Sequence, residues 1–260
     1  DPPDVESALD APPGSFSDTI ENRLTFDYHA NLRYPREGTV RSILTLGYAY
    51  ELGTYSLNDL STFRFGPLPF FVFTSTTQID ESRMNNAFYS QEQLTFFDRL
   101  HLTAGFRVDN NSKFGTAVNP HGSIAYEIKE TGSKLRAAIG TGIKEPTFIE
   151  NFGGFGTVGN PNLKPENSFS WEIGVDQAIW EGKVQLGLTY FQNKYKDLIA
   201  FVQSTTFPSL EPNYFNIQSA ESWGVEFTGK VNPGYGLTLG VNYTYLKTKV
   251  TDAGGIANIF

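Results

Sequence analysis

The chain has 260 residues, of which 39% are hydrophobic, 15% aromatic and 18% charged, and its formal net charge is −8. Because it has no cysteine, a disulfide scaffold and thiolate catalysis are excluded. The acidic balance argues against a nucleic-acid partner, since no basic run could neutralise phosphates. Few charges, many aromatic residues and 25 glycines indicate a β protein.

The predicted elements, in chain order, follow from apolar residues that alternate with polar ones. In the first, residues 22–34, one face holds Leu24, Phe26, Tyr28, Ala30, Leu32 and Tyr34. Further runs cover 41–51, 100–109, 135–144, 169–179, 184–193, 223–227 and 237–245, and the weaker segments 84–97 and 117–128 are assigned as strands by position as much as by pattern. The pattern predicts about ten strands of roughly 10–13 residues, longer than usual globular strands. Strands of about 10–11 residues cross a bilayer.

The predicted connections are short and long in turn. Tight turns rich in Gly, Pro or acidic residues are predicted at 35–38, 98–99, 130–132, 181–182 and 233–236. Longer connections are predicted at 53–83, 144–167 and 197–216, with a shorter one near 110–116. This asymmetry is typical of a barrel with one end in the periplasm and the other outside. We therefore expect an acidic external segment at 1–21, barrel strands over 22–250, and the start of another external loop at 251–260.

Periodicity alone does not say which face points outward, since a soluble barrel or sandwich alternates too. The polar face suits a wet lumen, with Arg107, Arg136 and Glu172 as lumen-facing candidates. Aromatic residues gather near the ends of the runs, where an interfacial girdle would lie. Trp171, Trp180 and Trp223 are the predicted interface residues. These features favour an all-β, antiparallel, up-and-down transmembrane barrel with lipid as its outer partner.

A specific motif surrounds the predicted connection 144–167. Residues 140–152 read G-T-G-I-K-E-P-T-F-I-E-N-F, and residues 159–168 read G-N-P-N-L-K-P-E-N-S. Together they resemble the barrel half of TonB-dependent outer-membrane receptors, in which K-x-P-T-F-x-E leads to a loop closing with G-N-P-x-L-K-P-E. The resemblance covers roughly residues 22–250 and is nearest to the cobalamin and siderophore receptors. It implies a bacterial outer-membrane location and energised uptake of a scarce chelate.

The family also implies a barrel of about 22 strands and an N-terminal plug that contacts the TonB complex. This chain offers about ten strands and no plug sequence, so we expect an internal piece of the barrel. Pro161 and Pro165 restrict the backbone of the loop motif, which favours a scaffold role for it. The alternative is that Lys164 or Glu166 contacts ligand.

Candidate ligand contacts lie in the external loops. Phe148, Phe152, Phe155 and Tyr214, with the phenylalanines of 53–83, would form an apolar rim for a bulky ligand. The alternative is that these loops simply pack on each other.

We predict no catalytic residue, metal site or cofactor. The nucleophile motif G-x-S-x-G is missing. Glu172 and Asp176 stand about 13 Å apart along one strand, too far for a carboxylate pair. His29 and His101 are explained better as lumen residues than as metal ligands. A passive porin-like channel, an outer-membrane enzyme and a soluble carbohydrate-binding β protein remain as alternatives.

Overall fold

The computed structural model describes residues 14–34, 38–65, 71–154, 157–203 and 211–252. Within these ranges the elements are ten strands and one helix. They are β1 (Gly14–Arg33), β2 (Val40–Phe65), β3 (Phe71–Phe96), β4 (Leu100–Asn111), β5 (Gly115–Ile128), β6 (Ser133–Lys144), α1 (Phe148–Phe152), β7 (Glu166–Ile179), β8 (Val184–Phe201), β9 (Tyr214–Gly234) and β10 (Leu237–Asp252). None of the helical residues in these ranges forms a span of the length and hydropathy that a membrane crossing requires.

The strands form a single antiparallel sheet in which each strand pairs with the next along the chain. The all-β, up-and-down prediction is thereby confirmed, including the two weakly patterned segments, which are β3 and β5. Tight turns join β3 to β4, β5 to β6, β7 to β8 and β9 to β10, as predicted. In the turn after β7, Trp180 and Glu181 both have positive φ, the conformation that two-residue hairpin turns require.

The predicted strand length of roughly 10–13 residues is too short for several strands, since β1, β8 and β9 have 20, 18 and 21 residues. The hairpin of β2 and β3 exceeds it most. β2 and β3 have 26 residues each, and they pair without interruption from Val40↔Phe96 to Phe65↔Phe71. Each strand is about 85 Å long at the usual rise per residue, far more than an apolar band needs. Most of the predicted connection 53–83 is therefore a β-extension of the hairpin, because its alternation continues with no proline before Pro67.

The outer boundaries of the predicted strand region also shift. β1 begins at Gly14, which pairs with Thr62 on the extension of β2. Residues 14–21 are therefore strand rather than part of an acidic loop, because the long β2 offers them a pairing partner. β10 ends at Asp252. The remaining predicted external segments, 1–13 and 253–260, lie outside the described residues.

The apolar rows point away from the concave side of the sheet. Leu186, Leu239 and Val241 are 37%, 55% and 54% exposed. A concavity of about 1000 Å³ is lined by polar residues of strands as far apart as β1 and β6, among them Asp27 and Lys144. Because five strand spacings separate these strands, the sheet must curve around its polar face. Apolar rows buried inside a soluble sandwich are contradicted by this arrangement.

Candidate functional site

The connection between β6 and β7 folds back over the concave face and carries α1. Thr147 caps the helix: its backbone N–H donates to Glu150 Oε2 (2.7 Å), and its side-chain oxygen accepts from the Glu150 N–H (3.2 Å). This reciprocal capping box supplies partners for N–H groups that a helix start leaves free. Gly153 ends the helix with φ of 88°, a conformation that favours glycine. The local sequence T-F-I-E therefore places Phe148 in the first helical turn.

Phe148 anchors the connection to the extended hairpin. Its side chain is only 4% exposed, and its ring stacks on Tyr55 with centroids 5.4 Å apart and an interplanar angle of 5°. Gly53 makes room for the ring, since a Cβ there would lie 3.2 Å from it. The Tyr55 hydroxyl donates a hydrogen bond to the Gly153 carbonyl (3.0 Å). With Leu57, these residues form the buried apolar cluster of the described structure.

Arg83 holds the same connection from a second side. Its guanidinium lies 4.8 Å from the centroid of the Phe148 ring and donates to the Pro146 carbonyl (2.7 Å). Its Nε lies 3.4 Å from Glu145, and Asn111 also donates to that carboxylate (2.7 Å). Burial raises the pKa of Glu145, while Arg83 and Asn111 act in the opposite direction. The ion pair is largely withdrawn from water, with side chains 12% and 20% exposed, so removal of either partner leaves a poorly hydrated charge.

The G-N-P motif ties this connection to the one between β8 and β9. Asn160 donates to the Tyr214 carbonyl (2.9 Å). Asn216 accepts from the backbone N–H of Lys164 (2.9 Å) and donates to its carbonyl (3.0 Å). Leu163, inside the motif, is buried. These contacts support the scaffold interpretation of the motif, because its polar groups bind backbone.

The predicted lumen residues all lie on the polar face. Arg107 donates to both oxygens of Asp109 at 3.0 Å, and both residues line the concavity. Arg136 lies 3.0 Å from Glu172 and 3.2 Å from Asp176. The concave face therefore combines cations and anions in pairs.

Two of the three predicted interface tryptophans lie in one outward-facing row. Trp171 packs on Tyr190 at 5.4 Å, Tyr190 on Trp223 at 6.4 Å, and Trp223 on Tyr245 at 6.0 Å between ring centroids. The row crosses β7 to β10 at the end that carries the long connections. Trp180 lies at the opposite end, in the turn after β7, and is 73% exposed. Aromatic side chains thus mark both ends of the outward apolar surface.

Three of the predicted ligand contacts belong to the linked connections. The rings of Phe148 and Phe152 are 6.3 Å apart. The backbone carbonyl of Tyr214 accepts from the Asn160 side chain, and the Asn160 N–H donates to the Glu150 carbonyl of the helix. Phe155 lies outside the described residues. The burial of Phe148 fits loops that pack on each other, and contact of these rings with a ligand stays a prediction.

The sequence analysis does not identify the residues that hold the β6–β7 connection against the concave face. Tyr55 and Arg83 lay in the segment predicted as a loop, so their place on the inward face was not evident. Glu145 was seen only as part of the motif. The signal that could have found them is the alternation that continues through residues 53–63, which puts Tyr55 and Leu57 on the polar side as misplaced apolar residues.

The fold and the motif agree with a known class of proteins. The family model described as TonB dependent receptor-like, beta-barrel matches residues 5–258. The chain belongs to this family, and its ten strands are part of such a barrel.

Two relatives give the comparison more detail. The chain is 33% identical over 183 residues to the vitamin B12 transporter BtuB of Photobacterium profundum, covering 68% of this chain and 28% of that protein. It is 27% identical over 188 residues to the iron-regulated outer membrane virulence protein of Vibrio cholerae, covering 66% and 28%. The chain thus spans little more than a quarter of the length of either relative.

Solved structures share the fold. The ferric enterobactin receptor PfeA has a TM-score of 0.68 at 23% identity, over 88% of this chain and 36% of that one. The siderophore receptor PirA of Pseudomonas aeruginosa has a TM-score of 0.59 at 21% identity, over 90% and 51%. The RagAB peptide transporter has a TM-score of 0.67 at 14% identity, over 92% and 31%. Proteins that are named for different ligands therefore share this fold.

Proposed function

We propose that this chain forms part of the wall and the external loops of a bacterial outer-membrane receptor that takes up a scarce chelate, a ferric siderophore or cobalamin. The observation that carries the proposal is that the two faces of the sheet have opposite character. One face is an exposed apolar surface bounded by aromatic residues, and the other is a concave surface lined by paired charges. Only a hydrocarbon solvent makes such an outward surface favourable over its whole length.

The orientation follows from the connections. In outer-membrane barrels the short turns lie in the periplasm and the longer loops outside. Trp171 and Trp223 would then lie at the outer interface and Trp180 at the periplasmic one. The extended β2–β3 hairpin would project into the medium, together with the connection that carries Phe148.

The uptake mechanism that we propose uses the two faces differently. The external connections, with Phe152 and Tyr214, would border the ligand at the mouth of the barrel, and the buried Phe148 would hold one of these connections in place. The charged concave face would border the plug, through which the TonB complex acts. Both the plug and TonB belong to the complete receptor and are proposed from the family and the relatives.

The test uses the complete protein in a bacterial host with a working or a deleted TonB. Uptake of radiolabelled cobalamin and of ferric siderophores is measured at nanomolar concentration. We expect saturable uptake of one of these chelates that disappears without TonB. Uptake that is linear with concentration and independent of TonB would identify a passive channel and contradict the proposal.

The proposed ligand rim is tested separately. We expect Phe152→Ala, in a receptor that still folds and inserts, to weaken binding of the transported chelate. The Phe148→Ala and Phe152→Ala double variant should weaken it further, since the loop itself is then released. Unchanged affinity in both variants would remove these rings from the binding site and leave the transport proposal intact.

A further inference from the structure

Basic residues are divided unequally between the two faces of the sheet. Among the strand residues whose side chains the structure describes, the arginines lie on the concave face together with the other polar residues. The basic residues on the outward face are Lys194 and Lys196 of β8 and Lys247 and Lys249 of β10, which we call the lysine patch. The patch stands out because the chain as a whole carries a net charge of −8.

The register places the four lysines close together. Lys194 and Lys249 both pair with Glu221 of the strand between them, and Lys247 pairs with Trp223. Two strand spacings separate β8 from β10, and the pairing partners on β9 run from Ser219 for Lys196 to Trp223 for Lys247, so the four Cα atoms outline an area of about 10 by 13 Å. All four side chains are exposed. In the described part of the chain, none of their ammonium groups lies within 4.0 Å of a carboxylate.

The patch begins at the level of the aromatic row, where Lys247 pairs with Trp223, and extends beyond it toward the long connections. Lys247 Nζ is 5.7 Å from the ring centroid of Trp223. Lys194 follows Gln192, which accepts from the indole N–H of Trp171 (3.1 Å). Aromatic rows mark the level of lipid headgroups, so the ammonium groups reach the depth at which phosphates of an anionic lipid lie.

An outward-facing groove adjoins the lysine patch. It holds about 680 Å³ and is lined by Val118, Ile143, Phe169, Lys194 and Lys196, among others. The groove forms where β5 and β6 part, since their pairing ends at His121↔Gly140 although both strands continue. Its lining combines the apolar side chains with the two lysines and with five uncharged polar residues, which are Thr116, Asn119, Thr141, Asn167 and Ser168. The apolar part suits one acyl chain, and the lysines beside it suit an anionic head.

We propose that the lysine patch binds the phosphorylated headgroup of a lipid in the surrounding leaflet, with one acyl chain lying in the adjoining groove. The inference rests on the lipid-facing wall of the proposed function and adds a specific lipid site to it. Charge complementarity selects the occupant, because four cations and one carboxylate at headgroup depth repel a cationic partner and attract a phosphate.

The experiment measures lipid binding to the complete protein in a neutral detergent by native mass spectrometry. Phosphatidic acid and phosphatidylcholine with identical acyl chains are the probes. We expect the double variant Lys194→Gln and Lys247→Gln to bind phosphatidic acid about 25-fold more weakly, about fivefold for each lysine. Phosphatidylcholine binding should stay unchanged. The arginine variants Lys194→Arg and Lys247→Arg should keep the affinity.

The matched control is Lys129→Gln with Lys183→Gln, two exposed lysines in turns at the opposite end, which should leave the affinity unchanged. Equal loss in both double variants, or no loss in either, overturns the inference. Displacement of the lipid by millimolar inorganic phosphate would indicate a free-anion site, and a change in oligomeric state without a change in lipid binding would indicate a contact between copies. Both results also overturn it.

The failure of this inference can be told from the failure of the proposed function. A receptor with altered patch lysines, unchanged lipid binding and TonB-dependent uptake refutes only the lipid site. If Leu239→Arg leaves the stability of the barrel unchanged, the outward face does not contact lipid, and both the proposed function and the lipid site are refuted.

Discussion

Two aromatic groups in this protein have similar ring spacings and opposite surroundings. Tyr55 and Phe148, on the concave side, are 1% and 4% exposed, and polar contacts from Arg83 and Gly153 hold them in place. Trp223 and Tyr245, on the outward side, have tilted rings 6.0 Å apart, Tyr245 is 47% exposed, and Lys247 lies over the Trp223 ring. The first pair is buried by other residues of the protein. The second pair lies on the outward surface, where lipid would have to cover it.

Exposure, rather than residue type, separates the loop anchor, which is Tyr55, Arg83 and Phe148, from the wall, which is the outward apolar surface of the strands. The loop anchor is stabilised by burial and by specific hydrogen bonds, so single substitutions should act locally. The wall is stabilised by its strand ladder and by the bilayer, so substitutions should matter by depth and by face.

The largest expected effect is at the loop anchor. Phe148→Ala should cost about 3–5 kcal/mol of the free energy that holds the β6–β7 connection on the hairpin, because a buried ring is lost. Hydrogen exchange of the Gly153 and Asn160 amides, which donate to Ile149 and Glu150, measures this. Phe169→Ala, which removes an outward-facing ring, is the control and should leave their protection unchanged. Equal protection in both variants would show that the anchor does not hold the connection.

The wall should respond to charge according to its face. Leu239→Arg should destabilise the complete barrel by about 2–4 kcal/mol, because it places a cation near the centre of the apolar band. Asn242→Arg, on the concave face of the same strand, should cost less than about 1 kcal/mol. Denaturant titration in lipid vesicles compares them, and equal effects would contradict the assignment of the faces.

Removing Arg83 should make the loop anchor sensitive to pH. Burial raises the pKa of Glu145, and without Arg83 that pKa should rise further. An acid whose pKa is raised on folding contributes stability that is complete below its unfolded pKa and is lost as the pH rises through its folded pKa. Arg83→Gln should therefore weaken loop docking by about 2 kcal/mol at neutral pH and much less near about pH 4.

The measurement is again amide exchange of Gly153, corrected for the intrinsic rate at each pH. The double variant Arg83→Gln and Glu145→Gln should lose the added pH dependence, since no buried carboxylate is left. Persistence of that dependence in the double variant would assign it to another group.

The smallest expected effect is at the helix cap. Thr147→Ala should cost about 1 kcal/mol of local helix stability, because the Glu150 N–H loses its acceptor. Thr147→Ser keeps the hydroxyl and should differ little from the parent protein. Exchange of the Asn151 amide, which donates to the Thr147 carbonyl, is the measurement. A loss as large as that of Phe148→Ala would show that capping, rather than ring burial, controls the connection.

Much of the wall was predictable because strand alternation is local. Alternation over about five positions predicts that residues such as Leu239 and Val241 share one face of their strand. Turn residues such as those at 181–182 predict where the chain reverses. The extension of β2 and β3 was not predicted because its apolar residues Tyr55 and Leu57 lie on the face that is polar in the rest of β2, so the outward apolar row was no guide there. The start of β1 at Gly14 escaped with it, since that pairing exists only when β2 is long.

The amino-acid sequence by itself determined the strand class, the number and order of the strands, the short turns and the family motif, because period-2 alternation and turn chemistry act between near neighbours. Only the tertiary structure decided which face is concave, that Tyr55 and Arg83 hold Phe148, and that lysines of β8 and β10 lie side by side. Those contacts join residues that are 50 to 100 positions apart in the chain, and their distances follow from the accumulated register and curvature of the whole sheet.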